Sequence, residues 1–338
     1  MSKGSRGRQV LATLCLIAGS KGVRDDSSEV AIVGQYIIRR LLIAIPVLLG
    51  VATMVFVAIR LVPGDPAEVM AGEMATAGDV QLIRHQLGLD RPLPVQYLIY
   101  LRDLVTGDLG RSTSSQLPVV TEIGTRFPNT LWLTVAAMAV AAAIGLATGV
   151  LSATRHNSLL DNACMLLALL GVSVPVFWLG LMLIMLFSVR FPLFPAGGMG
   201  GAENLVLPAI TLGAASTGII SRMTRSSLLD VVGQDFIRTA WAKGLSERVV
   251  ILKHALKNAL IPVITVVGLQ MGTLLGGAVL TETVFSWPGL GRLTVESILA
   301  RDYPMVQGSV LVLGASFVTI NLIVDVLYAF VDPRIRFD

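Results

Sequence analysis

The residues best suited to a specific chemical task lie in a polar stretch, residues 235–258, between two long apolar stretches. Phe236 and Ala240 are four residues apart, with Ile237 and Trp241 beside them, so a helix here carries an apolar face with basic flanks. A helix of this kind fits a groove in a partner protein. We assign partner docking to Asp235, Arg238, Thr239, Ala240, Trp241, Ala242, Lys243 and Gly244.

Local signals predict that this polar stretch forms two short helices. The first runs from Asp235 to Lys243, which places an acid near its positive end and a base near its negative end. Gly244 can adopt the left-handed conformation that ends a helix, and Ser246 can cap the next one. Because Ala240 and Gly244 carry almost no side chain, we expect a partner to approach closest there. A solvated basic loop and a helix lying flat on the membrane are the alternative interpretations.

Two carboxylates lie in or beside long apolar stretches, where an ionised group is costly and a functional role must be considered. Asp325 follows Asn321 by four residues, so the two share a helix face, and it serves either transport or interhelical structure. Glu282 either belongs to an external gate or anchors the loop that follows it. We assign both acids as candidate gate or transport-path residues.

The sequence gives no sign of catalysis, of a metal site or of a cofactor of its own. It lacks the Gly-x-x-x-x-Gly-Lys-Ser/Thr motif that binds nucleotide phosphates. His85, His156 and His254 lie in separate regions, and no nucleophile stands near a base. Cys15 and Cys164 lie in different apolar stretches and have no ligand spacing. We therefore predict a protein that is not an enzyme.

The composition predicts an all-α integral membrane protein. Hydrophobic residues make up 54% and charged residues 14% of the 338, and the mean hydropathy is +0.76; soluble domains carry about 25% charged residues. The net charge of +4 comes from loops between spans and does not indicate a nucleic-acid partner. A helical span needs about 20 apolar residues. Six stretches qualify: 41–59, 131–153, 162–189, 205–220, 261–280 and 306–331.

The same pattern divides the chain into regions. Residues 1–33 are predicted to be a disordered N-terminal extension, or the product of a mis-assigned start codon, and 34–62 hold the first span. Residues 63–128 form a folded external insert between the first and second spans, with a helix near 81–88 that stops at a glycine. Residues 129–338 form a five-helix core that includes a loop at 221–259, into which the fourth helix can continue.

Lys and Arg residues set the predicted orientation. They concentrate on the side that carries both termini and the polar stretch, so that side is predicted to be cytoplasmic. Arg60 lies at the outer end of the first span, against this bias, but its long side chain can extend to the outer interface.

Ordered motifs carry a resemblance to a known family. They include Arg-Thr-Ala-Trp-Ala-Lys-Gly at 238–244, Pro-Gly-Asp-Pro at 63–66, Gly-Asp-Leu-Gly at 107–110, Trp-Pro-Gly-Leu-Gly at 287–291, Asp-Tyr-Pro at 302–304 and Asp-Pro-Arg-Ile at 332–335. Over residues 34–338 the sequence resembles the dipeptide, oligopeptide and nickel permeases of ATP-binding-cassette (ABC) importers. The general importer loop reads Glu-Ala-Ala, three residues and Gly; only Ala240 and Gly244 match it, and Arg238-Thr239-Ala240 follows the peptide-type variant.

The resemblance implies a permease of the type I importer fold in the bacterial inner membrane. It implies a second homologous permease, two cytoplasmic ATPases that bind ATP and Mg²⁺, and an external substrate-binding protein. The loop would receive the stroke of the ATPases. The implied substrate is a di- or oligopeptide, with nickel chelates or glutathione as alternatives. From the residues alone, an ion-driven secondary transporter and a non-transporting receptor or assembly factor remain alternatives.

Overall fold

The computed structural model describes residues 26–61, 66–71, 75–86 and 88–331. Most of the predicted extension, most of the Pro-Gly-Asp-Pro turn and the motif at 332–335 lie outside these residues. The described regular elements are helices: α1 (Asp26–Leu61), α2 (Pro66–Ala71), α3 (Ala77–Gln86), α4 (Leu93–Thr106), α5 (Val119–Thr154), α6 (Leu159–Ser173), α7 (Val176–Ile184), α8 (Glu203–Val232), α9 (Asp235–Ala242), α10 (Glu247–Val249), α11 (Leu256–Val284), α12 (Leu290–Leu299) and α13 (Tyr303–Val331). Two π-helical segments, Met185–Arg190 and Val250–Ala255, extend α7 and join α10 to α11. Helix α1 begins eight residues before the predicted start at Gly34.

Five described segments are long and apolar enough to cross a membrane: Ile38–Ala58, Val119–Thr154, Glu203–Val232, Glu247–Val284 and Tyr303–Val326. The predicted span at 162–189 is not one straight helix. It consists of α6 and the segment Val176–Arg190, which meet at a bend of 106°. Pro175 lacks a backbone N–H and forces Val174 out of the helical region, to φ −77 and ψ 129. Counting the bent pair as one span gives the predicted number of six.

Helices α5 and α8 form the centre of the bundle because small residues let their backbones approach. A Cβ atom at Gly149 would lie 2.7 Å from the backbone oxygen of Ser221. A Cβ atom at Gly213 would lie 2.6 Å from the backbone oxygen of Ala137. Helix α8 continues to Val232, so the predicted extension of the fourth span beyond the apolar stretch is confirmed.

The insert between the first two spans is held to the turn that joins α12 to α13. The hydroxyl of Ser112 donates to the buried carboxylate of Asp302, and the backbone N–H of Ser114 donates to the same carboxylate at 3.2 Å. Val119 and Met305 pack together in an apolar cluster just beside this contact. We call this the insert end of the bundle, and the end that carries residues 235–258 the loop end. The predicted helix with a glycine stop is confirmed as α3, after which Gly88 has φ +64.

Candidate functional site

The polar stretch folds into two helical pieces separated at Gly244. Helix α9 covers Asp235–Ala242, and Gly244 follows it with φ +75, the left-handed conformation predicted for the break. The backbone N–H of Gly244 donates to the oxygen of Trp241 at 2.9 Å and closes the helix end. Ser246 precedes the second helix as predicted, but its side chain makes no capping hydrogen bond.

The predicted apolar face of α9 is present, but the residues at its centre are buried within this chain. At about 100° per residue, Ile237 and Ala240 occupy the centre of a continuous apolar arc, and Phe236 and Trp241 occupy its two edges. Ile237 is 0% exposed and Ala240 7% exposed, whereas Phe236 and Trp241 are 42% and 43% exposed. The face therefore anchors α9 and leaves its two aromatic edges accessible.

The residues that receive α9 belong to a buried group that we call the loop-end cluster. Its members come from α5, α8, α9, the second π-helical segment and α11: Ala153, Leu228, Val231, Ile237, Ala240, Val250, Ile251, Ala255 and Ala259. Ala240 is buried in this cluster. This position is the opposite of our expectation that a partner would approach closest at Ala240. Gly244 differs, because a Cβ atom at this position would meet nothing within 4 Å.

The outer surface of α9 carries its charged groups. The side chain of Asp235 is 97% exposed and that of Arg238 76% exposed, with 3.5 Å between the two charged groups. Thr239, Ala242 and Lys243 are exposed as well. The structure thus brings seven of the eight predicted docking residues to one outward surface, and the exception is Ala240.

A buried ion pair lies beside the loop-end cluster and was not found from the sequence. The Nε and Nη2 atoms of Arg225 donate to the two carboxylate oxygens of Asp161 at 2.7 and 2.8 Å. The hydroxyl of Ser152 and the backbone N–H of Asn157 donate to the same carboxylate. These contacts tie α5, α6 and α8 together at the loop end. An acid in the first turn of an apolar helix was the signal that could have indicated it.

Glu282 anchors a turn at the insert end. Its carboxylate accepts a hydrogen bond from the Thr130 hydroxyl at 2.6 Å and one from the backbone N–H of Arg292 at 2.9 Å. Glycines at 289 and 291 leave room for it, because a Cβ atom at Gly289 would clash with the carboxylate. The side chain is fully buried, so this geometry favours the anchoring role over an open gate.

Asp325 lies at the opposite end of the bundle and does not share a site with Glu282. Its carboxylate is 2.9 Å from the Nη1 atom of Arg40 on α1, and the side chain is 27% exposed. Within the described part of the chain, no three His, Cys, Asp or Glu side chains group as metal ligands would.

Comparison with known proteins identifies the family. Residues 145–337 match the binding-protein-dependent transport system inner membrane component, and residues 33–134 match the N-terminal family of the same membrane components. The chain belongs to this family of ABC importer permeases. The permease is 48% identical over 303 residues to the glutathione transport system permease protein GsiC of Escherichia coli O6:H1 (strain CFT073), covering 90% of this chain and 99% of that one. GsiC of Salmonella choleraesuis (strain SC-B67) is 49% identical with the same coverage.

The fold has a solved counterpart. The structure titled inward facing conformations of the MetNI methionine ABC transporter contains a chain that superimposes with a TM-score of 0.52 at 22% identity. The match covers 62% of this permease and 96% of that chain. The expected membership in the peptide-type permeases and the expected importer fold are confirmed. The permease is a multi-pass inner-membrane transport subunit, and the ATPase activity of such an importer resides in its partner subunits.

Proposed function

We propose that this permease forms the translocation path of an importer for glutathione. The observation that supports the proposal is the identity of 47–49% with permeases named for glutathione transport, over nearly their full length. The sequence alone favoured a di- or oligopeptide and left glutathione as an alternative; the relatives favour that alternative. Other di- or oligopeptides are the second candidate, and nickel chelates the third.

The working complex would contain a second homologous permease, two cytoplasmic ATPases and an external binding protein. The Lys and Arg bias supports a cytoplasmic loop end, with both termini on that side. The ATPases would then meet the outward surface of α9, where Phe236 and Trp241 offer apolar contacts and Arg238 offers charge. Gly244 lies at the end of that surface, where the open space allows the closest approach.

A stroke applied to α9 would reach the membrane helices through the loop-end cluster. Ile237 and Ala240 share one buried cluster with residues of α5, α8, α11 and the second π-helical segment, so we expect a displacement of α9 to disturb the ends of these helices. The Asp161–Arg225 pair adds α6 to the same group. Closure of the ATPases would therefore move four helix ends together and tilt the bundle between inward- and outward-facing states.

Uptake by the reconstituted importer tests the substrate. The permease pair, the ATPases and the binding protein would be placed in proteoliposomes with ATP inside, and uptake of radiolabelled glutathione, a labelled dipeptide and ⁶³Ni²⁺ with histidine would be compared. We expect ATP-dependent uptake of glutathione, reduced by excess unlabelled glutathione. ATP-dependent uptake of the dipeptide or nickel without glutathione uptake would overturn the substrate. Uptake driven by an ion gradient without ATP would contradict the importer mechanism itself.

A further inference from the structure

Helix α4 of the insert leaves an apolar surface exposed that the transport mechanism does not use. Leu93, Val95, Leu98 and Val105 are exposed, with Val105 reaching 89%. At about 100° per residue, Leu98 and Val105 point in nearly the same direction, away from the side that Tyr97 and Tyr100 occupy. The helix is therefore two-sided: one face is half-buried, and the other is exposed and apolar except for Arg102.

The packed face of α4 contacts α1 at a level inside the membrane. The hydroxyl groups of Tyr97 and Thr53 are 2.6 Å apart, and Thr53 lies five residues before the end of the span Ile38–Ala58. Five residues of helix correspond to about 7.5 Å. The ring of Phe56, also within the span, lies 5.1 Å from that of Tyr97 and 5.5 Å from that of Tyr100, centroid to centroid. These contacts bring the side chains of α4 against the last two turns of the span.

The side chains around this contact suit the boundary between lipid and water. Tyrosine is enriched there because its ring is apolar and its hydroxyl polar. The guanidinium group of Arg60 lies over the ring of Phe56 at 3.3 Å and donates to Gln96 at 2.8 Å, so its charge is held just beyond the span. Arg102 is exposed on the open side of α4 and pairs with Asp103 at 2.8 Å. Its long side chain can hold this charged pair at headgroup level above an apolar surface.

We propose that α4 is an interfacial helix whose exposed apolar face, formed by Val95, Leu98 and Val105, contacts the acyl chains of the lipid leaflet at the insert end. The surface continues the exposed apolar side of α1, where Met54 and Val57 lie at the same level. Only 17% of the most apolar 18-residue window of α1 is buried within the chain, which is the exposure expected of a lipid-facing span. The insert is then fixed twice, by lipid through α4 and by the core through Ser112 and Asp302.

Spin labels on the assembled transporter test the proposal. Cysteines at Leu98 and, separately, at Val105 would be labelled in a Cys15→Ser/Cys164→Ser background, with the complete importer in lipid nanodiscs. Collision rates with oxygen, which dissolves in lipid, and with a water-soluble nickel chelate would then be measured. Met54→Cys on α1 is the control within the span, and Gln81→Cys on the exposed surface of α3 is the aqueous control.

We expect oxygen to dominate at both α4 positions, as at Met54, whereas the nickel chelate dominates at Gln81. Low collision rates with both reagents would show that the second permease covers this face and would overturn the proposal. Dominance of the nickel chelate at both positions would also overturn it, because the face would then lie in water. The collision rates at Val105 test the proposal independently if the label at Leu98 disturbs the insert.

Discussion

The carboxylate of Asp161 and the guanidinium of Arg225 face each other in a two-pronged contact, although they are 64 positions apart in sequence. The side chain of Asp161 is 2% exposed. Removing the arginine would leave the buried Asp161 carboxylate without its cationic partner. Removing both charged groups would leave no buried charge to compensate. The contact lies next to the loop-end cluster, so it supports the place where α9 is attached.

Arg225→Ala is expected to destabilise the permease by about 1–3 kcal/mol, because it removes two donors from the buried Asp161 carboxylate while the arginine itself is 24% exposed. The double variant Asp161→Asn/Arg225→Met should recover a large part of this loss. Arg238→Ala, which removes an exposed ion pair, is the control and should cost less than about 1 kcal/mol. Unfolding in mixed detergent micelles measures the three values. Equal losses for Arg225→Ala and Arg238→Ala would contradict the supporting role of the buried pair.

Gly244→Asp is expected to leave the permease inserted and stable but to abolish ATP-dependent uptake. An aspartate tolerates the left-handed conformation better than most residues, so its main effect is bulk and charge on the open docking surface. Gly107→Asp is a matched control: Gly107 has φ +77, follows the end of α4 and also has open space around it. Co-purification of the ATPases and uptake would be measured for both variants. Normal uptake by Gly244→Asp would rule out docking at this position.

Ile237→Ala and Trp241→Ala are expected to fail in different ways. Ile237 is buried in the loop-end cluster, so its truncation should cost about 2–5 kcal/mol and loosen α9, which lowers uptake while the ATPases still bind. Trp241 is exposed at the edge of α9, so its truncation should weaken ATPase binding with little change in stability. Pull-down of the ATPases and unfolding of the permease separate the two effects. The anchoring model fails if Ile237→Ala binds and transports normally.

Glu282→Gln tests whether this carboxylate anchors a turn or takes part in transport. If the amide oxygen keeps the Arg292 N–H, the NH2 group faces the Thr130 hydroxyl, which then accepts and loses the acceptor for its own proton, at a cost of about 1–3 kcal/mol. We expect lower thermal stability and retained uptake per folded molecule. Thr130→Val should cost at least as much, because the same hydroxyl also accepts a hydrogen bond from the buried backbone N–H of Leu290 at 2.8 Å. Loss of uptake in a fully stable Glu282→Gln protein would instead assign the carboxylate to the transport path.

Helix periodicity and terminal signals predicted the spans and the break at Gly244 because both depend on short-range sequence. They did not predict the bend at Val174, because proline is tolerated inside membrane helices and hydropathy continues across it. The inward position of Ala240 also escaped prediction, since an apolar arc does not reveal whether its own chain or a partner covers it. The Asp161–Arg225 contact joins helices far apart in sequence and emerges only when the bundle is assembled.

The two buried polar contacts on α5 have a mechanical consequence. Thr130 binds Glu282 at one end, and Ser152 binds Asp161 at the other. Their separation along the helix is about 33 Å at about 1.5 Å per residue, close to the thickness of about 30 Å of the hydrocarbon layer. Helix α5 is thus clamped where it enters and leaves the bilayer. Between these two contacts α5 packs closely against α8 at Gly145, Gly149 and Gly213. We therefore expect a displacement at one end of α5 to reach the other end as a tilt of the whole helix.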